Sequence, residues 1–195
     1  MTETEILDIF RQHSALLEGH FILSSGLHSD RYVQCALVLQ HPERAEQLAR
    51  ALAAEFHDQT VDCVVAPALG GILLGYEVAR ALGVRSIFVE RDRSGQMVFR
   101  RGFGLKPHER VLVMEDVWTT GGSTRETIGV VEEAGGLVIG AGALIDRSGG
   151  AIELKVPSQA LLELTVPTFE AENCPQCRAG GMATQPGTHY VRAAR

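Results

Sequence analysis

The run VLVMEDVWTTGGSTRE, from Val111 to Glu126, constrains this chain more than any other stretch. Val111, Leu112, Val113 and Met114 form the short apolar segment expected of a strand buried on both faces. Glu115 and Asp116 then fall at its C-terminal end, where open α/β sheets place their ligand sites. Thr119-Thr120-Gly121-Gly122-Ser123-Thr124 follows at once. The two glycines let backbone N–H groups turn toward a ligand without Cβ obstruction, and the Thr and Ser side chains add hydroxyl donors. Ser123 or Thr124 is expected to cap the next helix, whose N-terminus favours an anion. The unit reads as a phosphate loop beside an acid pair that takes polyhydroxyl or metal-bound groups. It is neither GxxxxGK[ST] nor GxGxxG, patterns that occur nowhere in the chain.

The rest of the chain supplies a setting for that unit. A length of 195 residues suits one domain with a real core. The absence of any 18-residue apolar run and the acidic start MTETEILDIF lead us to expect neither a signal peptide nor a membrane span, and hence a cytoplasmic protein. A net charge of −6 argues against a nonspecific nucleic-acid binder. Within this acidic chain, Arg85–Arg110 carries seven basic residues (Arg85, Arg91, Arg93, Arg100, Arg101, Lys106, Arg110) against three acids (Glu90, Asp92, Glu109). We read that segment as a flexible clamp for an anionic ligand rather than a merely solvated loop, with Ser94-Gly95-Gln96 supplying mobility.

Apolar spacing predicts helices over Glu3–Leu17, Pro42–Phe56, Gly71–Leu82 and Ser123–Glu133. Strands are expected at Asp62–Ala66, Arg85–Glu90, Val111–Asp116, Leu137–Ile145 and Leu161–Val166. This alternation implies βαβ units and a mainly parallel sheet flanked by helices. About the first sixty and the last thirty residues fall outside it, and are expected to pack together or cap one end of the sheet.

Of four cysteines, Cys174-Pro-Gln-Cys177 forms half a zinc site. No second pair completes it at a usual spacing, and adding His189 still leaves a fourth ligand wanting. The cysteines therefore read as incidental or structural, with a metal shared across a dimer as the alternative. His28, in the Ser25-Gly26-Leu27-His28 turn, reads as solvated, with a substrate-facing position as the alternative. Trp118 and Tyr32 are open between packing and substrate contact. His13, His41, His57 and His108 are given no role.

The central run resembles the phosphoribosyl-pyrophosphate (PRPP) signature of the type I phosphoribosyltransferases. FILSSGLHSDRYVQ (Phe21–Gln34), APALGGI (Ala66–Ile72), ERDRSGQMVFRRGF (Glu90–Phe103) and LIDRSGG (Leu144–Gly150) extend the likeness toward the orotate-specific branch, and the tail NCPQCRAGG is similar to some of its members. The resemblance implies a single domain over residues 1–195, with a small hood built from about 1–60 and 165–195. It also implies transfer of a phosphoribosyl group from PRPP to orotate, with Mg²⁺ held through substrate and water, in a homodimer with shared active sites. Glu115, Asp116 and Arg91 would then be catalytic, the acids stabilising a sugar cation as carboxylates do in glycoside hydrolysis. Arg91, Glu115, Asp116, Val117, Trp118, Thr119, Thr120, Gly121, Gly122 and Ser123 would bind PRPP, and Thr119 and Arg147 would bind orotate, Arg147 pairing with its carboxylate.

Ala68, Leu69, Gly70 and Gly71 would form the pyrophosphate loop, with a non-proline cis peptide at Ala68–Leu69. The basic segment after Arg91 would be a mobile loop closing over the neighbouring subunit's site. Three departures stand out: many members carry lysine where this chain has Ser24 and Leu69, and the loop pattern is replaced by Arg91-Asp92-Arg93. Arg93, Arg100 or Arg101 are then the candidates for the missing contacts. The alternatives are a phosphoribosyltransferase for a purine or another base, and a non-catalytic PRPP-sensing regulator that binds nucleic acid.

Overall fold

A computed structural model describes residues 1–23 and 25–186. Ser24 and His189 lie outside the described residues. Six strands form the central sheet: β3 (Cys63–Pro67), β4 (Arg85–Arg91), β5 (Met97–Phe99), β6 (Arg110–Trp118), β7 (Leu137–Asp146) and β8 (Ser158–Glu163). Their spatial order is β5-β4-β3-β6-β7-β8, and every pairing is parallel except β4 with β5. The alternation expected from sequence is therefore present. The strand expected at Leu161–Val166 lies earlier, at Ser158–Glu163, in parallel register with β7.

Both faces of the sheet are covered, which is why its strands read as unbroken apolar runs. Val64, Leu112 and Met114 join a core with Leu48 and Leu52 of α3 (Pro42–Ala54) and Leu74 and Val78 of α4 (Gly70–Leu82). Cys63, Val65, Val111 and Val113 point the other way, onto Ile128 and Val131 of α5 (Gly122–Glu133). The α4 helix lies very close to the sheet: a Cβ on Gly75 would sit 2.9 Å from the Cβ of Ala66. Only glycine allows that approach. Within residues 1–60, the short α2 (Ala36–Leu39) and α3 belong to this helical layer, α3 packing on α4, β7 and β8.

A second, antiparallel sheet joins the two ends of the chain. It consists of β1 (Leu16–Ile22), β2 (His28–Val33) and β9 (Thr168–Phe169), ordered β1-β2-β9. The expected helix Glu3–Leu17 is shorter than its apolar spacing suggested. α1 (Glu3–Gln12) has a Thr2/Glu5 capping box and stops where Ser14 turns the chain at φ 52°. Leu16 and Leu17 then pair with Val33 and Tyr32, so tertiary strand pairing overrides the helical period. His28 is not a solvated turn residue: it is buried in β2, its Nδ1 2.8 Å from His20 Nε2. Cys174 and Cys177 lie against the same two rings, so the cysteine pair has a second pair of ligand type beside it. Sequence spacing hid that pair because it comes from the other end of the chain.

Candidate active site

Strand order reverses between β3 and β6, since the chain leaves β3 toward β4 on one side and returns to β6 on the other. The crevice beyond their C-terminal ends is where an open α/β sheet binds its ligand. The expected acid pair stands there at the end of β6. Strand alternation sends the two carboxylates to opposite sides. Glu115 Oε2 accepts from the Thr124 hydroxyl on the α5 side at 3.3 Å. Asp116 lies on the α4 side, where its Oδ1 accepts from the Val117 N–H at 2.9 Å. Burial raises both carboxyl groups above their ordinary range, and Glu115, also facing the Asp116 charge, is pushed up to about 8.

The loop Ala68–Gly71 meets this pair from α4. Its Ala68–Leu69 peptide is cis, as expected. A Cβ on Gly70 would lie 2.7 Å from Asp116 Oδ1, so glycine brings this backbone against the acid.

The hydroxyl–glycine loop differs from expectation in its cap. Neither Ser123 nor Thr124 caps α5; Gly121 holds the N-cap position in the left-handed region at φ 71°, with no side chain on the helix N–H groups. A capping hydroxyl would occupy donors that a phosphate needs, and glycine leaves them free. Thr124 is instead buried, accepting from the Trp118 indole N–H at 3.0 Å. The Trp118 side chain is buried in the core with Ile128 and Val131 of α5. Sequence reading missed Arg125, which donates to the carbonyls of Thr120 and Glu153 and braces the loop from outside.

A cleft of about 770 Å³ opens beside Asp116, Val117, Thr119 and Thr120, and continues to Arg147 and the hood. Arg147 follows β7, its N–H bonded to the Trp118 carbonyl at 2.8 Å, in a turn held by Asp146 Oδ1 on the Ser148 N–H. Its Nε is buried with no hydrogen-bond partner, and it makes no ion pair among the described residues. Burial lowers its pKa from the usual guanidinium value. Tyr32 lines the same cleft and donates its hydroxyl to Gln34 Oε1 at 2.9 Å. Ser148, Thr165 and Thr168 complete the polar lining, and no sequence signal singled them out.

The basic segment is divided rather than gathered into one flexible clamp. Arg85 and Arg110 pair with Glu109 and Asp62 at the opposite end of the sheet. Between Arg91 and Phe99 there is a β-hairpin, because Met97 is buried and the Asp92 carboxylate accepts from the N–H groups of Ser94 and Gln96. Arg91 Nη2 pairs with Glu126 of α5 at 2.7 Å, outside the acid pair. Arg100 and Arg101 pair with Glu90, whereas Arg93, exposed in the turn, makes no ion pair among the described residues.

A hydroxyl–glycine loop on a helix N-terminus, beside an acid pair at a sheet's switch point, is the arrangement of a protein that binds a sugar phosphate. The chain belongs to the phosphoribosyl transferase domain family, which it matches over residues 37–171. It is 53% identical to the orotate phosphoribosyltransferase of Pelotomaculum thermopropionicum, over 98% of this chain and 100% of that one. Identity to the orotate phosphoribosyltransferase of Acidithiobacillus ferrooxidans is 52%, over 96% of this chain and 98% of that one. Among solved structures, orotate phosphoribosyltransferase from Aeropyrum pernix is similar at TM-score 0.67 and 26% identity, covering 82% of this chain and 93% of that one. An adenine phosphoribosyltransferase from Rhodothermus marinus is similar at TM-score 0.60 and 25% identity, covering 83% and 99%.

Proposed function

We propose that this protein transfers the phosphoribosyl group of PRPP to orotate, giving orotidine 5′-monophosphate and pyrophosphate in the synthesis of UMP. The observation that carries the choice of base is Arg147, a half-buried guanidinium on the cleft wall whose buried Nε has no hydrogen-bond partner and which makes no ion pair among the described residues. A half-buried cation that awaits a carboxylate suits orotate and is wasted on a neutral purine. Near full-length relatives at about half identity carry the same name.

In this reading Thr120 to Ser123 and the open end of α5 hold the 5′-phosphate. Glu115 and Asp116 take the ribose hydroxyls and stabilise positive charge at C1′ as the base nitrogen displaces pyrophosphate. The Ala68–Gly71 backbone receives pyrophosphate, and Thr119 and Arg147 orient orotate with Tyr32 against its ring. The acid pair, two hard oxygen donors with no basic side chain paired to them among the described residues, fits Mg²⁺ held through substrate oxygens and water. When bound, Mg²⁺ offsets charge on the leaving pyrophosphate.

Two features support a homodimer with shared sites. Leu69, Leu73 and Tyr76, 75%, 51% and 61% exposed, recur at helical spacing on one face of α4 next to the pyrophosphate loop. Arg93, unpaired at the hairpin tip, is suited to reach a neighbouring subunit's pyrophosphate. No helix among the described residues is long and apolar enough to cross a membrane; we place the enzyme in the cytoplasm.

The test is loss of orotate absorbance on adding PRPP and Mg²⁺, with adenine, hypoxanthine, xanthine and uracil in parallel. Selective consumption of orotate is expected. Turnover of another base would refute the reading of Arg147, and PRPP binding without turnover of any base would favour a regulator.

A further inference from the structure

His20, His28, Cys174 and Cys177 bring one ligand atom each to a common point, all within 4.8 Å of one another. We propose that they form a closed, tetrahedral zinc site that fastens the C-terminal segment to the β1–β2 hairpin. The site is separate from the catalytic cleft and holds whatever base the cleft takes.

Local structure explains how the four meet. Cys174 is the N-cap of the single helical turn Pro175–Arg178, which sets Cys174 and Cys177 three residues apart on one side. In the hairpin, a bulge between Glu18 and Phe21 lies at His20. Bulges re-aim side chains, and here His20 Nε2 comes to 2.8 Å from His28 Nδ1. Hydrogen bonds to the hairpin backbone hold the two segments together independently of any ion. Gln176 Nε2 donates to the Gly19 carbonyl at 2.9 Å, and Thr184 N–H to that of His20 at 2.8 Å.

Hydrogen-bond accounting then points to a cation. His20 Nδ1 lies 3.0 Å from the Gly181 carbonyl, which only accepts, so Nδ1 carries the proton. The inward Nε2 is left as a bare lone pair, the tautomer that a carbonyl partner fixes in metal-bound histidines. Three groups converge on it: His28 Nδ1 at 2.8 Å, Cys174 Sγ at 3.4 Å and Cys177 Sγ at 3.6 Å. One lone pair serves one donor; a central ion serves all four groups.

The spacing agrees. Zinc bonds of roughly 2.0–2.1 Å to nitrogen and about 2.3 Å to sulfur imply tetrahedral N···S edges of about 3.5 Å. Three of the four N···S distances are 3.4, 3.6 and 3.3 Å, and the fourth, Cys174 to His28, is within 4.8 Å. The 2.8 Å N···N separation is the short edge, and an entering ion would open it by about half an ångström. Two thiolates and two imidazoles select zinc over Mg²⁺, and four protein ligands leave no open position for catalysis.

The site has a mechanical consequence. The hairpin brings Leu27 and Tyr32 to the cleft, and the tail brings Gln185 and Pro186. Joining them at one ion fixes the distance between two walls of the base pocket.

The experiment is metal analysis of the full chain, expressed with added zinc and purified without chelators. About one zinc per chain is expected, released in step with titration of two thiols by a mercurial. Cobalt in its place should give the visible bands and thiolate charge transfer of a tetrahedral sulfur-ligated ion. The C174S/C177S double variant should retain less than about a tenth of the metal. The measurements on the unaltered chain stand alone if that variant does not fold. Zinc far below one per chain with no cobalt spectrum, or a metal-free Cys174–Cys177 disulfide in the purified protein, would overturn the proposal.

Discussion

Replacing Glu115 by glutamine should stabilise the unliganded protein while abolishing transfer, and the stabilisation should depend on pH. Glutamine keeps the shape and an oxygen for the Thr124 hydroxyl, so packing changes little. What it removes is a charge that the fold holds at a cost. Burial and the Asp116 carboxylate push Glu115 up to about 8. Taken at face value against an ordinary carboxyl near 4.5, that displacement corresponds to about 5 kcal/mol. Water reaches an open cleft, so we expect about 1–3 kcal/mol in practice.

The native state holds this proton more tightly than the unfolded chain. Its stabilising contribution is therefore complete below the unfolded value and is lost as pH climbs through about 8. Urea unfolding without PRPP or Mg²⁺ should give nearly coincident curves for parent and E115Q near about pH 4, with the variant more stable near about pH 9. Transfer by the variant should fall by about a hundredfold or more. A stability difference equal at both pH values, or a variant less stable at the alkaline end, would refute the reasoning.

Other substitutions probe the remaining parts. Arg147→Ala should lower kcat/KM for orotate by about a hundredfold while PRPP binding, followed by calorimetry, is retained. Unchanged orotate kinetics would remove Arg147 from the base site. Gly75→Ala should cost about 1–3 kcal/mol in denaturant unfolding, because its Cβ meets Ala66 at 2.9 Å. Gly129→Ala on α5, where nothing lies within 4 Å of the new Cβ, should instead gain about 0.5–1 kcal/mol. If α4 carries the proposed homodimer contact, Leu73→Glu, placing charge on its exposed face, should shift light-scattering mass from dimer toward monomer and lower activity in parallel.

What could be read in advance was what is contiguous. The acid pair, the phosphate loop and the strand before them lie in one sixteen-residue run, and period and composition placed them on the right elements. The cis peptide at Ala68–Leu69 came from resemblance, not from any property of the two residues. Readings failed where distant pairing decides the outcome. Leu16 and Leu17 continue a helical period but belong to β1 because Tyr32 and Val33 pair with them. Charge counting gathered Arg85 and Arg110 with the loop arginines, although their partners Glu109 and Asp62 sit at the far end of the sheet. His20 and His28 carry no ligand signal beside Cys174 and Cys177, since about 150 residues separate the pairs.

The cleft is divided by origin. In the proposed reading its sugar-phosphate half comes from the end of one strand and the loop that leads to the next helix, Asp116 to Thr120. Its other half, proposed to take the base, is assembled from Tyr32, Arg147, Thr168 and the tail, which meet only after the chain has folded back on itself. On that reading, substitutions in the second half are expected to spare the first. A lineage built this way is free to explore new bases while keeping its donor, and the same sheet does occur in enzymes named for orotate and for adenine.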